Sequence, residues 1–271
     1  MEHDLPNCTI HYKVFGEGRS LLVLHGGYLD HRHMVDALEP LFEDRRGWKR
    51  IYIDIPGHGK SPVDPSVATH DEVLALILEF MSEILPGQSF SVAGESRGGY
   101  LARGIVHQRP ELIDGALFIV PGRYAVCSED SVPPHVTLTK ADELVPTLAP
   151  DEVGRFSRLV VQNAEILEKI RRCKIPATAL ADEAHQNKID GSYEYTFDID
   201  TPDKPFEKPT LFLLGRQDSM VGYRDALKVI ENFSRATFAV LDKAGHSLSW
   251  EQSALFHALA REWLQRVEEF D

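Results

Sequence analysis

Ser96 is the middle residue of Gly94-Glu95-Ser96-Arg97-Gly98. The run before it, Ser89 to Ala93, is small and apolar, and Tyr100, Leu101, Ile105 and Val106 after it recur at helical spacing. A serine at a strand-to-helix junction stands clear of the sheet only if the turn is tight and its own backbone strained. Side chains two positions either side would collide in that turn, which gives glycine at 94 and 98 a steric reason. The amides that open a helix beyond Ser96 favour negative charge developing there. Serine is a poor nucleophile near pH 7, so attack on a carbonyl needs a base to take its proton. Two further residues stand where apolar runs end: Asp218 in LFLLGRQD and His246 in LDKAGHS. His25-Gly26-Gly27 follows LLVL, and a loop there can offer the Gly27 N–H to an oxyanion, with the Arg97 N–H as second donor.

The elements that must position these residues alternate. LLVLHG (21–26), RIYIDIPG (50–57), FSVAG, GALFIVPG (115–122), PTLFLLG and TFAVLD read as buried strands. Between them lie helical patterns over His33–Phe42, Asp71–Leu85, Arg97–Gln108, Tyr223–Glu231 and Ser249–Val267. Such alternation implies an α/β fold with a parallel sheet covered on both faces. TIHYKVFGEG alternates instead, as a half-exposed antiparallel edge strand would. From Arg123 to Phe206 no strong buried-strand run appears; Asp151–Arg172 is the clearest helical patch there, followed by the aromatic-bearing polar stretch DGSYEYTFDIDTPDKP. The expected organisation is a core of residues 1–122 and 207–271 with a mainly helical insertion over 123–206.

With HGG at 25–27, DIPGHGKS at 54–61, GESRGG at 94–99, GRQD at 215–218 and GH at 245–246, the chain resembles the α/β-hydrolase superfamily. The resemblance is to its esterase-like members with a cap inserted after strand six. It implies an eight-stranded, mostly parallel sheet flanked by helices, with Ser96 as nucleophile, His246 as base and Asp218 as the acid that orients it, in the order those triads follow. Hydrolysis of a small carboxylic ester or related acyl compound through an acyl-enzyme is then expected, with no metal or organic cofactor required. The same triad also fits a C–C bond hydrolase, a perhydrolase or an amidase. A ligand-binding, receptor-like protein with little turnover is the reading from another class.

Composition narrows the partners. The 271 residues carry a formal net charge of -13, which argues against nucleic acid or an anionic membrane and leaves a small molecule as the expected ligand. Cys8, Cys127 and Cys173 are few and widely spaced, and MEHDLPNCT is polar, so a soluble cytoplasmic protein is expected. His31 and His33 read as a solvated loop rather than a metal site, and His58 as a turn residue. His25 is expected to shape the oxyanion loop by hydrogen bonding, and Asp54 to brace the adjoining loops. The Arg97 side chain is expected to pair with Glu95 or with a carboxylate of the insertion, or else to bind an acidic group on the substrate.

Overall fold

A computed structural model describes residues 1–122 and 132–270. Eight strands form one sheet: β1 Glu2–Leu5, β2 Cys8–Phe15, β3 Arg19–Leu24, β4 Trp48–Ile53, β5 Phe90–Glu95, β6 Ile113–Ile119, β7 Thr210–Gly215 and β8 Ala236–Leu241. Their order is β1-β2-β4-β3-β5-β6-β7-β8. The pairs from β4 to β8 are parallel, while β2 runs antiparallel to β4 and β1 antiparallel to β2. TIHYKVF is therefore not the edge. Leu5 and Cys8 close a hairpin that lays Glu2–Leu5 outside it.

Strand periodicity sends alternate side chains to opposite faces. Leu22 and Leu24 point to one side, where helices α2 (His70–Ile84) and α3 (Arg97–Gln108) cover them with Leu74, Ile77, Leu101 and Ile105. Leu21 and Val23 point to the other, against α1 (His31–Leu38) and the C-terminal helix, through Met34, Leu38, Phe256 and Trp263. Because both faces are covered, these strands read as unbroken apolar runs. α2 begins where the sequence asks it to: Thr69 and Glu72 form a reciprocal capping box.

Between β6 and β7 the regular elements among the described residues are helical: a 3-10 segment Asp142–Thr147, α4 Pro150–Ser157, α5 Ala164–Lys169, a π-helical turn Ile170–Lys174, α6 Ile175–Thr178 and α7 Glu183–Gly191. The expected helix over 151–172 is thus two. The chain leaves helical geometry at 158–163 because the Val160 N–H donates to the buried Glu251 carboxylate (2.6 Å), and Asn163 then caps α5 through the Ile166 N–H (2.8 Å). The C-terminal helix is likewise divided at Gln252, into α8 Leu248–Glu251 and α9 Ser253–Glu269, and the pattern over 223–231 is a 3-10 segment, Asp225–Asn232. Phe156, Ile166, Leu167, Ile170 and Cys173 pack on Trp250, so the inserted helices have a small core of their own that ends on α8. The expected boundary at Arg123, like Cys127, lies outside the described residues; Cys8 and Cys173 are buried and unbridged. Among the described residues no helix is long and apolar enough to cross a membrane.

Candidate active site

Ser96 sits between β5 and α3 with φ 54 and ψ -115, a conformation that costs about 1–3 kcal/mol for a residue with a Cβ. Its neighbours hold it there. The Ser96 N–H donates to the Ile119 carbonyl (3.0 Å), and its own carbonyl accepts from Tyr100 and Gly122 (3.0 Å each). The flanking glycines are sterically obligatory. A Cβ at Gly94 would lie 2.2 Å from the Gly98 carbonyl oxygen, and one at Gly98 would lie 2.4 Å from that of Leu24.

The loops after β7 and β8 bring the other two expected residues to this serine. His246 Nε2 lies 2.9 Å from Ser96 Oγ, and His246 Nδ1 lies 2.9 Å from Asp218 Oδ2. The second Asp218 oxygen accepts from the N–H groups of Met220 (2.9 Å) and Val221 (3.1 Å), which fixes the carboxylate's orientation. Burial disfavours the charged imidazolium of His246, but Asp218 beside it and the Glu95 carboxylate outweigh that, and its pKa is raised above 6.5. Glu251 secures the loop from below, accepting from the Gly245 N–H at 2.6 Å; burial pushes its own pKa up.

The two residues expected to supply oxyanion donors, Gly27 and Arg97, line the same cavity as Ser96. The Arg97 N–H is the first of α3 and so has no carbonyl within the helix to accept it. A Cβ on Gly27 would lie 3.2 Å from the Arg97 guanidinium carbon. His25 behaves as a structural residue: Nδ1–H donates to the Gly26 carbonyl (2.7 Å) while Nε2 accepts from the Ile55 N–H (3.0 Å), and burial lowers its pKa. His58 is a buried turn residue whose ring meets that of His25 edge-on.

Other expectations require correction. His31 and His33 are not on a solvated loop; both are buried on α1. Two buried carboxylates draw them inward. His31 Nδ1 lies 2.7 Å from Asp54, and His33 Nε2 lies 2.9 Å from Glu95, while Arg32 between them turns outward to Asp30. Asp54 is the brace expected of it. Its oxygens accept from the His31 ring and backbone, the His11 ring (3.1 Å) and the Lys60 N–H (2.9 Å). Burial alone would raise its pKa, yet the hydrogen bonds from the His31 ring and backbone hold it well below the usual carboxylate range. His11, His31 and Asp54 are close enough together to face a metal ion, but each carboxylate oxygen already has two donors.

Glu95 and Arg97 do not pair with each other. Glu95 is buried against His33 and Ser249. The Arg97 guanidinium instead reaches the insertion, donating to Gln186 and Asp190 on α7, with the rings of Tyr28 and Tyr193 near it. Tyr28 OH also donates to Asp190 (3.2 Å), so the Gly27 loop and the insertion share one polar contact.

A cavity of about 390 Å³ opens on Ser96 and His246. Its walls include Gly27, Tyr193 and three cationic residues of the insertion, Arg155, Arg158 and Lys174. Nothing in the sequence singled these out. A second cavity, about 700 Å³, lies away from this site, between Arg103 and His107 on α3 and the segment 198–208.

Residues 20–253 match the family model for the alpha/beta hydrolase fold. A 2-hydroxy-6-oxo-6-phenylhexa-2,4-dienoate hydrolase of Comamonas testosteroni is 23% identical, over 98% of this chain and 94% of its own. A pimeloyl-[acyl-carrier protein] methyl ester esterase of Vibrio campbellii is 22% identical, over 95% and 99%. Among solved structures, an alpha/beta superfamily hydrolase from Oenococcus oeni superposes with a TM-score of 0.87 at 26% identity, covering 99% of both chains. Together with the sheet order, the match over most of the length places the chain in the α/β-hydrolase family, as an enzyme of hydrolase type.

Proposed function

We propose that the protein hydrolyses a small acyl compound through an acyl-enzyme on Ser96, with His246 as base and Asp218 orienting it. The observation that carries this reading is the pair of 2.9 Å contacts running from Ser96 Oγ through the His246 ring to Asp218. As Oγ bonds to the substrate carbonyl carbon, its proton passes to His246 Nε2 and the carbonyl π electrons move onto oxygen. The Gly27 and Arg97 N–H groups receive that oxyanion. When the carbonyl re-forms, the bond to the leaving group breaks and the leaving group takes the proton from His246. Water then repeats the sequence: His246 removes its proton, hydroxide adds to the acyl carbon, and Ser96 Oγ leaves reprotonated with the acid released.

Residues 123–206 act in this reading as a cap over the site, supported by the polar contacts that Gln186 and Asp190 make with Arg97. A small-molecule substrate fits the 390 Å³ cavity. A cytoplasmic setting is supported by the unbridged Cys8 and Cys173. The net charge of -13 counts against nucleic acid.

An ester is the leading substrate class. Cleavage of a carbon–carbon bond is the second, favoured by the end-to-end similarity to a dienoate hydrolase. The test is turnover of a panel of 4-nitrophenyl esters beside a 2-hydroxy-6-oxo-dienoate, in wild type and Ser96→Ala. Ester turnover lost in the variant supports the first class, and dienoate turnover exceeding every ester supports the second. A folded wild type inert toward both contradicts the proposal.

A further inference from the structure

We infer that the Ser96 cavity is built for an acyl substrate bearing an anionic oxygen group, bound by Lys174 with Arg155 and Arg158 beside it. This rests on the reading of Ser96 as nucleophile. Six charged side chains wall the cavity besides His246: Glu95, Arg97, Asp190 and these three. The first three are committed to partners. Glu95 is buried on His33, and Arg97 and Asp190 pair with each other. Among the described residues, Lys174 Nζ donates only to a neutral hydroxyl, Ser247 Oγ at 2.9 Å, and it lies over the Trp250 ring. Arg155 donates to the Asp151 backbone carbonyl. Among the described residues, no carboxylate forms an ion pair with Lys174, Arg155 or Arg158.

The contrast with their neighbours shows that this is not a general excess of base. On the same stretch of chain Lys169 pairs with Asp36 and Glu165, Arg171 with Glu152 and Glu168, and Arg172 with Asp36. Acidic residues outnumber basic ones, 42 to 29. Lys169, Arg171 and Arg172 are ion-paired, whereas Lys174, Arg155 and Arg158, which face the cavity, are not. Burial lowers the Lys174 pKa; Glu95 and Glu251 oppose that shift, but neither forms an ion pair with it, so an arriving anion supplies the direct contact they do not make. Its bond to Ser247, next to His246, puts the anion within a few atoms of the scissile carbonyl. A carboxylate and a phosphate share the required chemistry.

The test compares 4-nitrophenyl hemiglutarate with 4-nitrophenyl valerate, matched in length and differing in charge. The quantity read is the ratio of kcat/KM, anionic over neutral. Lys174→Met is expected to lower that ratio about a hundredfold, the loss of a charge-assisted contact, while Lys174→Arg retains most of it. Arg158 is exposed, so Arg158→Gln folds, and it lowers the ratio by about threefold, an effect that shrinks in high salt. Calorimetric titration of glutarate and of inorganic phosphate into Ser96→Ala, with and without Lys174→Met, reads binding apart from chemistry. Tighter glutarate assigns a carboxylate, tighter phosphate a phosphate, and either must weaken without Lys174. A ratio unchanged across the variants, or anion binding indifferent to Lys174, overturns the inference and leaves the hydrolase reading standing. Absent turnover of both esters with Lys174-dependent anion binding overturns the hydrolase reading instead.

Discussion

Replacing Asp218 by Asn changes one atom and, in this site, reverses one hydrogen bond. The Asp218 side chain is fully buried and its two oxygens face different partners. One accepts from the Met220 and Val221 N–H groups at 2.9 and 3.1 Å, the other meets His246 Nδ1 at 2.9 Å. An asparagine oxygen must keep the first position, because an NH2 there would oppose two backbone donors at about 1–3 kcal/mol for each group left unpaired. The NH2 then points at His246 Nδ1 and forces it to accept. The imidazole proton moves to Nε2, 2.9 Å from Ser96 Oγ, where a lone pair is needed. The variant also loses the charge that stabilises the imidazolium. Wrong tautomer and lost charge together are expected to lower kcat about ten-thousandfold, or roughly 5.4 kcal/mol of barrier. The assay is hydrolysis of a 4-nitrophenyl ester, with circular dichroism and Tm establishing that the variant is folded. A folded Asp218→Asn protein within tenfold of wild type refutes the orientation argument.

Three more outcomes follow from the same contacts. His246 must be neutral to accept a proton and its pKa is raised, so kcat/KM falls as pH drops through a midpoint above 6.5; Glu95→Gln removes a charge that raises it and moves the midpoint down. A midpoint that stays or rises in that variant contradicts the electrostatic account. Gly98→Ala puts a Cβ 2.4 Å from the Leu24 carbonyl oxygen and 2.5 Å from that of His25. It is expected to cost about 3 kcal/mol or more and to lower Tm by at least about 6 °C; an unchanged melting curve counts against the tight-turn explanation. Asp54→Asn lies outside the reacting groups, so it should lower Tm by about 4–8 °C, for roughly 2 kcal/mol of weakened charge-assisted bonds, and spare kcat. Abolished chemistry with an intact Tm would make Asp54 the acid in place of Asp218.

What the sequence disclosed was set by how local the determining physics is. α3 was legible to the residue, Arg97 to Gln108, because a glycine-flanked turn opens it and Pro110 follows its end. β5, β6 and β7 announced themselves as apolar runs because both their faces are buried. β1 did not, since three of its four residues, Glu2, His3 and Asp4, are polar and its pairing is read only from the hairpin. The break at 158–163 escaped notice because its cause, the Glu251 carboxylate, lies about 90 residues away. His31 and His33 were placed in solvent for the same reason: Asp54, just after β4, and Glu95, at the end of β5, make their burial tolerable and are distant in sequence. Ser96, Asp218 and His246 were read as strand-end residues, whereas Lys174 is set apart from Arg171 and Arg172 by its partners: they meet Glu152, Glu168 and Asp36, and it meets Ser247.

The central claim is that Ser96 is an activated nucleophile, and covalent labelling tests it without knowledge of the substrate. Wild-type protein treated with a fluorophosphonate should gain one adduct mass, located by peptide mapping on the segment that contains GESRGG. The adduct should be absent from Ser96→Ala and form far more slowly on Asp218→Asn. Folded wild-type protein that takes up no adduct, or takes it up on another residue with Ser96 unmodified, contradicts the account.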